Sequence, residues 1–283
     1  MPSMKALKRR ITSVNNTQQI MKAMKLVATS KVQKNKTRME AVRPLFQESQ
    51  TFFEQGVIYE TVNDSEFLSL EETPKHAAYI VIGGERSLCG GYNNNVFKLA
   101  LANMGKAERE QVIAVGAKCK EYFVRRGKSV TENYVRVLES VSYGVAVEIA
   151  ERLAGLYISD DAEKKIDAIY IVYTQFETLL SQTPRIVKLL PIGPYTGETR
   201  EVIYEPDVHT YLTKAVPMYL SMFIYGAMIE ASVCEQASRM TSMDAAARNA
   251  SEIADNLTIQ YNRIRQGAIT QEISEIVSGA NAV

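Results

Sequence analysis

The sequence predicts an α/β protein in which long N- and C-terminal helices form an antiparallel coiled coil and a Rossmann-like α/β domain is inserted between them. Three observations carry that expectation. From Met240 onward, apolar residues stand at Met240, Met243, Ala247, Ala250, Ala254, Leu257, Tyr261, Ile264 and Ala268, in alternating steps of three and four. The same alternation near the N-terminus passes through Leu7, Ile11, Val14, Gln18, Met21, Lys25, Ala28, Val32, Asn35, Met39, Val42 and Phe46, apolar at all but Gln18, Lys25 and Asn35. Between these stretches, short β-branched runs alternate with amphipathic ones. A repeat of three and a half residues keeps two helices in contact as they supercoil, and alternating strands and helices make a mostly parallel sheet.

In chain order, the first helix is expected from about Met4 to Tyr59, within an N-terminal coiled-coil segment spanning residues 1–59. Pro44 removes one of its backbone donors. Polar, acidic residues from Thr61 to Lys75 read as a linker. His76–Gly83, carrying Tyr79-Ile80-Val81-Ile82, reads as a buried strand, Val96–Met104 as a helix and Val112–Val115 as a second strand. Ala117–Arg126 is helical and closed by Gly127. Val130–Leu138 is a weak edge strand, Gly144–Tyr157 an amphipathic helix, Ile166–Thr174 the clearest strand, and Arg185–Leu190 the last before Pro191-Ile192-Gly193-Pro194. These elements make up the α/β domain, 75–195. A connector leads to Asp207, a candidate N-cap for the final helix, 207–283.

An antiparallel pair built on these boundaries leaves the second helix longer by roughly 17 residues, about 25 Å at 1.5 Å per residue. Its end carries Ile269, Ile273, Ile276 and Val277 with no partner in the chain, which points to a partner protein.

Charge is unevenly spread. Lys5 to Arg43 holds eleven basic residues and one acid, Glu40, whereas from Glu201 on ten acids stand against five bases. The basic helix is either a solvated face partly neutralised by its partner helix or the footprint of an acidic partner. Residues 1–44 contain no aromatic platform for stacking nucleobases. Cys89, Cys119 and Cys234 are far apart and read as reduced thiols. With only His76 and His209 available, no metal cluster assembles from the usual spacings. No signal peptide is visible, and the longest uncharged run, Ala215 to Ile229, is too short to span a bilayer.

The loop from Gly83 to Gly91 follows a strand and precedes a helix, as phosphate-binding loops do. It lacks both the Gly-Lys-Ser/Thr ending of a P-loop and the GxGxxG pattern. Glu71-Glu72 and Asp160-Asp161 read as solvated loop charges, and no nucleophile-base set can be assembled. Three readings stay open at this point: a mechanical or interaction protein, a phosphate- or nucleotide-binding enzyme built on the α/β domain, and a basic tether for nucleic acid.

Several motifs narrow the choice. Ile11-Thr12-Ser13-Val14-Asn15-Asn16-Thr17-Gln18-Gln19-Ile20, Lys22 to Lys31, Leu88-Cys89-Gly90-Gly91-Tyr92-Asn93, Arg239 to Ala246, Gln260 to Gln266 and Ile276 to Ala280 resemble the gamma subunit of F-type rotary ATP synthases, and the resemblance spans the chain. It implies a non-catalytic shaft in a hexamer of alpha and beta subunits, with delta, epsilon and the c-ring as further partners. It implies neither cofactor nor metal, no nucleic acid, and a peripheral place on the cytoplasmic face of a bacterial membrane, reached only through the c-ring. Carried over by position, Met24, Lys25, Arg265, Gln266 and Thr270 would meet the hexamer, and Tyr204, Glu205 and Asp207 the epsilon and c-ring side. The motif departs from the family where Gly84-Glu85-Arg86-Ser87 replaces the usual Ser-Asp-Arg-Gly. The cysteine-bearing insertion and transit peptide of the chloroplast type are missing.

Overall fold

The structure, a computed structural model, describes residues 3–56, 67, 74–192, 205 and 207–280. In chain order the elements are α1 (Met4–Gly56), β1 (His76–Ile82), α2 (Tyr92–Asn103), β2 (Arg109–Val115), α3 (Ala117–Val124), β3 (Val130–Tyr134), α4 (Tyr143–Tyr157), β4 (Ala168–Phe176), β5 (Gln182–Leu190) and α5 (Val208–Ala280). They divide into two compact units, Met1–Thr29 with Arg239–Val283, and Ser30–Ser238.

The larger unit is built on a sheet of order β3-β2-β1-β4-β5. β1 pairs in parallel with β2 and with β4, β2 pairs in parallel with β3, and β5 returns antiparallel to β4. Period-two alternation divides β1 between two cores, because successive side chains point to opposite faces. Ala78, Ile80 and Ile82 join α4 and the first turns of α5, whereas Ala77, Tyr79 and Val81 join α2 and α3. Both faces being covered, the strand reads as one continuous apolar run.

Several boundaries differ from those predicted: α2 starts at Tyr92, four residues before Val96, and β2 at Arg109, three before Val112. The edge strand stops at Tyr134 because Arg136 takes φ 62°, which turns the chain and buries Val137 and Leu138 in the following loop. β4 lies two residues later than expected. β5 starts at Gln182 and includes Pro184, tolerated because β5 is an edge strand. The predicted stretch beyond Gly56 lies outside the described residues.

Within the larger unit α1 and α5 run antiparallel. Asn35 donates to Ser232 at 2.8 Å, Arg43 lies 4.0 Å from Glu230, and Phe46 packs edge-on against Phe223 with centroids 5.0 Å apart. Gly226 lets this happen: a Cβ there would lie 2.6 Å from the Phe46 ring. From Tyr219 to Ala237 α5 is almost wholly buried, and 78% of its most apolar window is covered by the chain. That apolar surface is spent on the core. The helix begins as expected, with the Thr210 N–H donating to the Asp207 carboxylate at 2.8 Å, a bond that lowers the carboxyl's pKa.

In the smaller unit the heptad seam appears in the burial. Leu7 and Ala28 are buried, and Ile11, Val14, Gln18, Met21 and Lys25 are either half-buried or flanked by half-buried neighbours, while most other positions are exposed. On α5, Met243, Ala247, Ala250, Ala254 and Leu257 are buried, and Tyr261, Ile264 and Ala268 half-buried. Small alanine side chains allow two backbones to approach closely, so contact depends on register and not on bulk.

Candidate functional site

Three features could act on something outside the chain: the end of α5, the cations of α1 and the loop after β1. Each is a consequence of packing.

The end of α5 follows from pairing register. Lys25 Nζ bonds Asp244 Oδ1 at 2.6 Å. Twenty-one residues separate Lys25 from Met4, where α1 begins. The same step along α5 from Asp244, in the antiparallel sense, arrives at Arg265. Beyond it α5 continues to Ala280 with Ile269, Ile273, Ile276 and Val277 exposed at 47, 56, 71 and 53%. A single amphipathic helix end with four large apolar side chains in water lacks the partner that would stabilise it.

Lys25 and Asn35 explain two of the polar seam positions. Each interrupts the apolar repeat and each has a partner on α5, Asp244 and Ser232. Polar residues at such positions set register at some cost in stability. Arg248 also reaches Asp244, at 3.3 Å. The hydrogen bond from Lys25 and the nearby Arg248 charge hold the Asp244 carboxyl below its ordinary pKa. A depressed folded-state pKa contributes stability above the ordinary carboxylate range and loses it as pH falls through the lowered value. The pair's contribution to the melting temperature should therefore be flat between pH 7 and 5 and decline below about pH 4, where carboxylates protonate. Asp244→Asn should flatten some of that decline; an unaltered profile would remove the pair from the account.

Of the eleven cations between Lys5 and Arg43, Lys25, Lys36 and Arg43 form ion pairs within the chain. Among the described residues the other eight form none, so intrachain neutralisation accounts for the minority of this charge.

The predicted contact residues do not form one cluster. Met24 is half-buried beside Lys25, whose ammonium is already held by Asp244. Arg265, Gln266 and Thr270 are exposed on one stretch of α5, where the Thr270 hydroxyl donates to the Gln266 carbonyl at 2.9 Å. Glu205 is exposed, Asp207 caps α5, and Tyr204 lies outside the described residues. Sequence reasoning passed over Ile20 and Val27, exposed at 58 and 59%, and Ile259 at 67%. Their signal was available: they are apolar yet off the seam, Ile20 and Val27 each one position before Met21 and Ala28.

The loop after β1 lies where open α/β sheets bind ligands, at the carboxyl ends of β1 and β4, where strand order reverses. Here that place is filled. The Ser238 hydroxyl donates to the Cys89 carbonyl at 2.8 Å, the Tyr92 hydroxyl to the Ala231 carbonyl at 3.1 Å, and Cys234 Sγ lies 3.5 Å from the Thr174 carbonyl. A Cβ on Gly84 would stand 3.1 Å from the Glu235 carboxyl carbon. Arg86, the loop's cation, holds Glu139 at 2.7 Å. Burial raises the Cys119 and Cys234 thiol pKa values far above the ordinary one, which disfavours the nucleophilic thiolate. The crevice contains α5, and with it the main argument for an enzyme on this domain disappears.

Comparison with known proteins agrees. A family profile described as ATP synthase matches residues 3–283. The chain is 40% identical over 288 residues to the ATP synthase gamma chain of Pelotomaculum thermopropionicum and 39% identical over 287 to that of Desulforamulus reducens, with all of each chain covered. Among solved structures it resembles a chain of the Euglena gracilis mitochondrial ATP synthase rotor, with TM-score 0.70 and 15% identity, covering 94% of this chain and 98% of that one. A chain of the Tetrahymena thermophila mitochondrial ATP synthase central stalk and c-ring is similar at TM-score 0.60 and 23% identity, over 80% of this chain and 99% of that one. At those identities the two structures speak for the fold.

Proposed function

The chain belongs to the ATP synthase gamma chain family, and on that premise we propose that it works as the central rotor shaft, a non-catalytic subunit coupling c-ring rotation to the catalytic beta subunits. The observation that carries this reading is the apolar end of α5, which continues past the start of α1 with its isoleucines in water. A sleeve formed by alpha and beta subunits would cover it. Apolar contacts are non-directional, so such an end has similar energy in each of three orientations, whereas buried ion pairs would lock it in one.

In this reading the helix pair turns inside the hexamer and the α/β domain, 75–195, carries the epsilon and c-ring side, with Glu205, Asp207 and Tyr204 near those contacts. The unpaired cations in the first half of α1, Lys5, Lys8, Arg9, Arg10 and Lys22, face carboxylates of the beta subunits, and delta belongs to the same complex. Met24 and Lys25 meet a beta loop, whose carboxylates would compete with Asp244 for the Lys25 ammonium. Arg265, Gln266 and Thr270 form a polar catch. The assembly sits on the cytoplasmic face of the membrane, and this chain touches the bilayer only through the c-ring.

Co-expression with alpha, beta and epsilon subunits tests the proposal, the expected result being one stable complex whose ATP synthesis requires this chain. ATP hydrolysis by the isolated chain, or coupled synthesis without it, would refute the reading. Arg265→Ala should leave assembly yield unchanged and lower coupled synthesis by about ten- to a hundredfold, since a charge-assisted hydrogen bond contributes about 1.5–3 kcal/mol. Unchanged synthesis would remove Arg265 from the catch.

A further inference from the structure

One cleft in the larger unit has no role in that mechanism. It opens between α1, the connection from β3 to α4, and α5, with a volume of about 400 Å³. That lies within the span of about 300–1,000 Å³ common to small-molecule sites. Leu138, Val141 and Ile229 supply its apolar surface. The Asn35 amide donates to the Ser232 hydroxyl at 2.8 Å, which donates to the Leu138 carbonyl at 2.9 Å, so the polar floor is satisfied and fixed.

The charge on the wall is not satisfied. Lys31, Lys34 and Arg38 line the side formed by α1. The one carboxylate lining the cleft, Glu139, is held by Arg86 at 2.7 Å. Arg38 donates to the Tyr225 hydroxyl at 2.9 Å and lies over that ring, which orients it without neutralising it. Among the described residues Lys31 and Lys34 form no ion pair. An apolar surface beside unmatched cations, over a polar floor that is already satisfied, fits one kind of small ligand.

We propose that this cleft binds a small amphiphilic anion, its alkyl or aryl body against Leu138, Val141 and Ile229 and its sulfonate, phosphate or carboxylate between Lys31 and Lys34. Such a ligand would tie α1 to residues 138–141 and stiffen the larger unit. The inference goes beyond the shaft reading and does not rest on it.

Fluorescence titration of the full-length chain with anilinonaphthalene sulfonate tests it. One saturable site is expected, displaced by decyl sulfate and not by decyltrimethylammonium. Lys31→Ala/Lys34→Ala should raise Kd at least about tenfold. Ala41→Trp, which fills the cleft from its α1 wall, should abolish binding with helix content unchanged. Ile273→Ser/Ile276→Ser should leave Kd as it was. Non-saturable binding, a Kd unmoved by the cleft variants, or loss of signal in the Ile273/Ile276 variant would overturn the proposal. So would displacement by an aspartate-rich peptide but not by decyl sulfate, which would assign the cations to a protein partner.

Discussion

Ile273→Asp/Ile276→Asp is expected to abolish coupled ATP synthesis in the assembled complex while leaving the circular dichroism of the isolated chain unchanged. Both side chains are more than half exposed, so the free chain loses little packing. Inside an apolar sleeve each would be buried, and full burial of an isoleucine contributes about 1.5–3 kcal/mol. Losing two should weaken seating in the hexamer by at least on the order of a hundredfold, before the cost of desolvating two carboxylates is added. Ile273→Leu/Ile276→Leu should restore function, because volume and apolarity matter here and shape matters less. If the aspartate variant kept full synthesis, the end of α5 would not be what the hexamer holds.

Gly116→Ala should strongly destabilise the larger unit. Gly116 follows β2 with φ 99°, a conformation that residues with a Cβ adopt at a cost of about 1–3 kcal/mol. A Cβ at this position would also run into the Gly83 carbonyl oxygen, at the carboxyl ends of β1 and β2, where the Gly83 N–H donates to the Val115 carbonyl at 2.8 Å. Backbone on both sides cannot yield as a flexible side chain would. The two effects together should exceed about 3 kcal/mol, a large share of the roughly 5–15 kcal/mol typical of a domain. Urea denaturation measures it. Gly127→Ala is the control, with φ 68° and open space around its would-be Cβ; it should cost about 1–2 kcal/mol. Equal shifts of the two midpoints would sink the clash argument.

Gly83 and Gly116 also show how far sequence reasoning reached. The glycines after β1 suggested a phosphate loop because such loops need a backbone without Cβ atoms. Their role here is different. Gly83 makes room for the Phe97 ring, 2.5 Å from its would-be Cβ, and Gly84 for Asn93 and Glu235. A glycine marks a close approach without saying what approaches. The polar seam residues are a similar case: Lys25 and Asn35 stood out as interruptions, but the chain alone did not say that Asp244 and Ser232 would meet them.

From the sequence alone the helix pair, its seam, the order of strands and helices, and the unpartnered end of α5 were all legible. A repeat of three and a half residues, or of two, is written residue by residue and states which side of an element is buried. The tertiary structure alone decided that α5 fills the crevice at the ends of β1 and β4, that β5 runs back against β4, and that Lys31 and Lys34 overhang an apolar cleft. The crevice and the cleft depend on groups brought together across a hundred or more residues, and no local periodicity records which distant side chain will arrive.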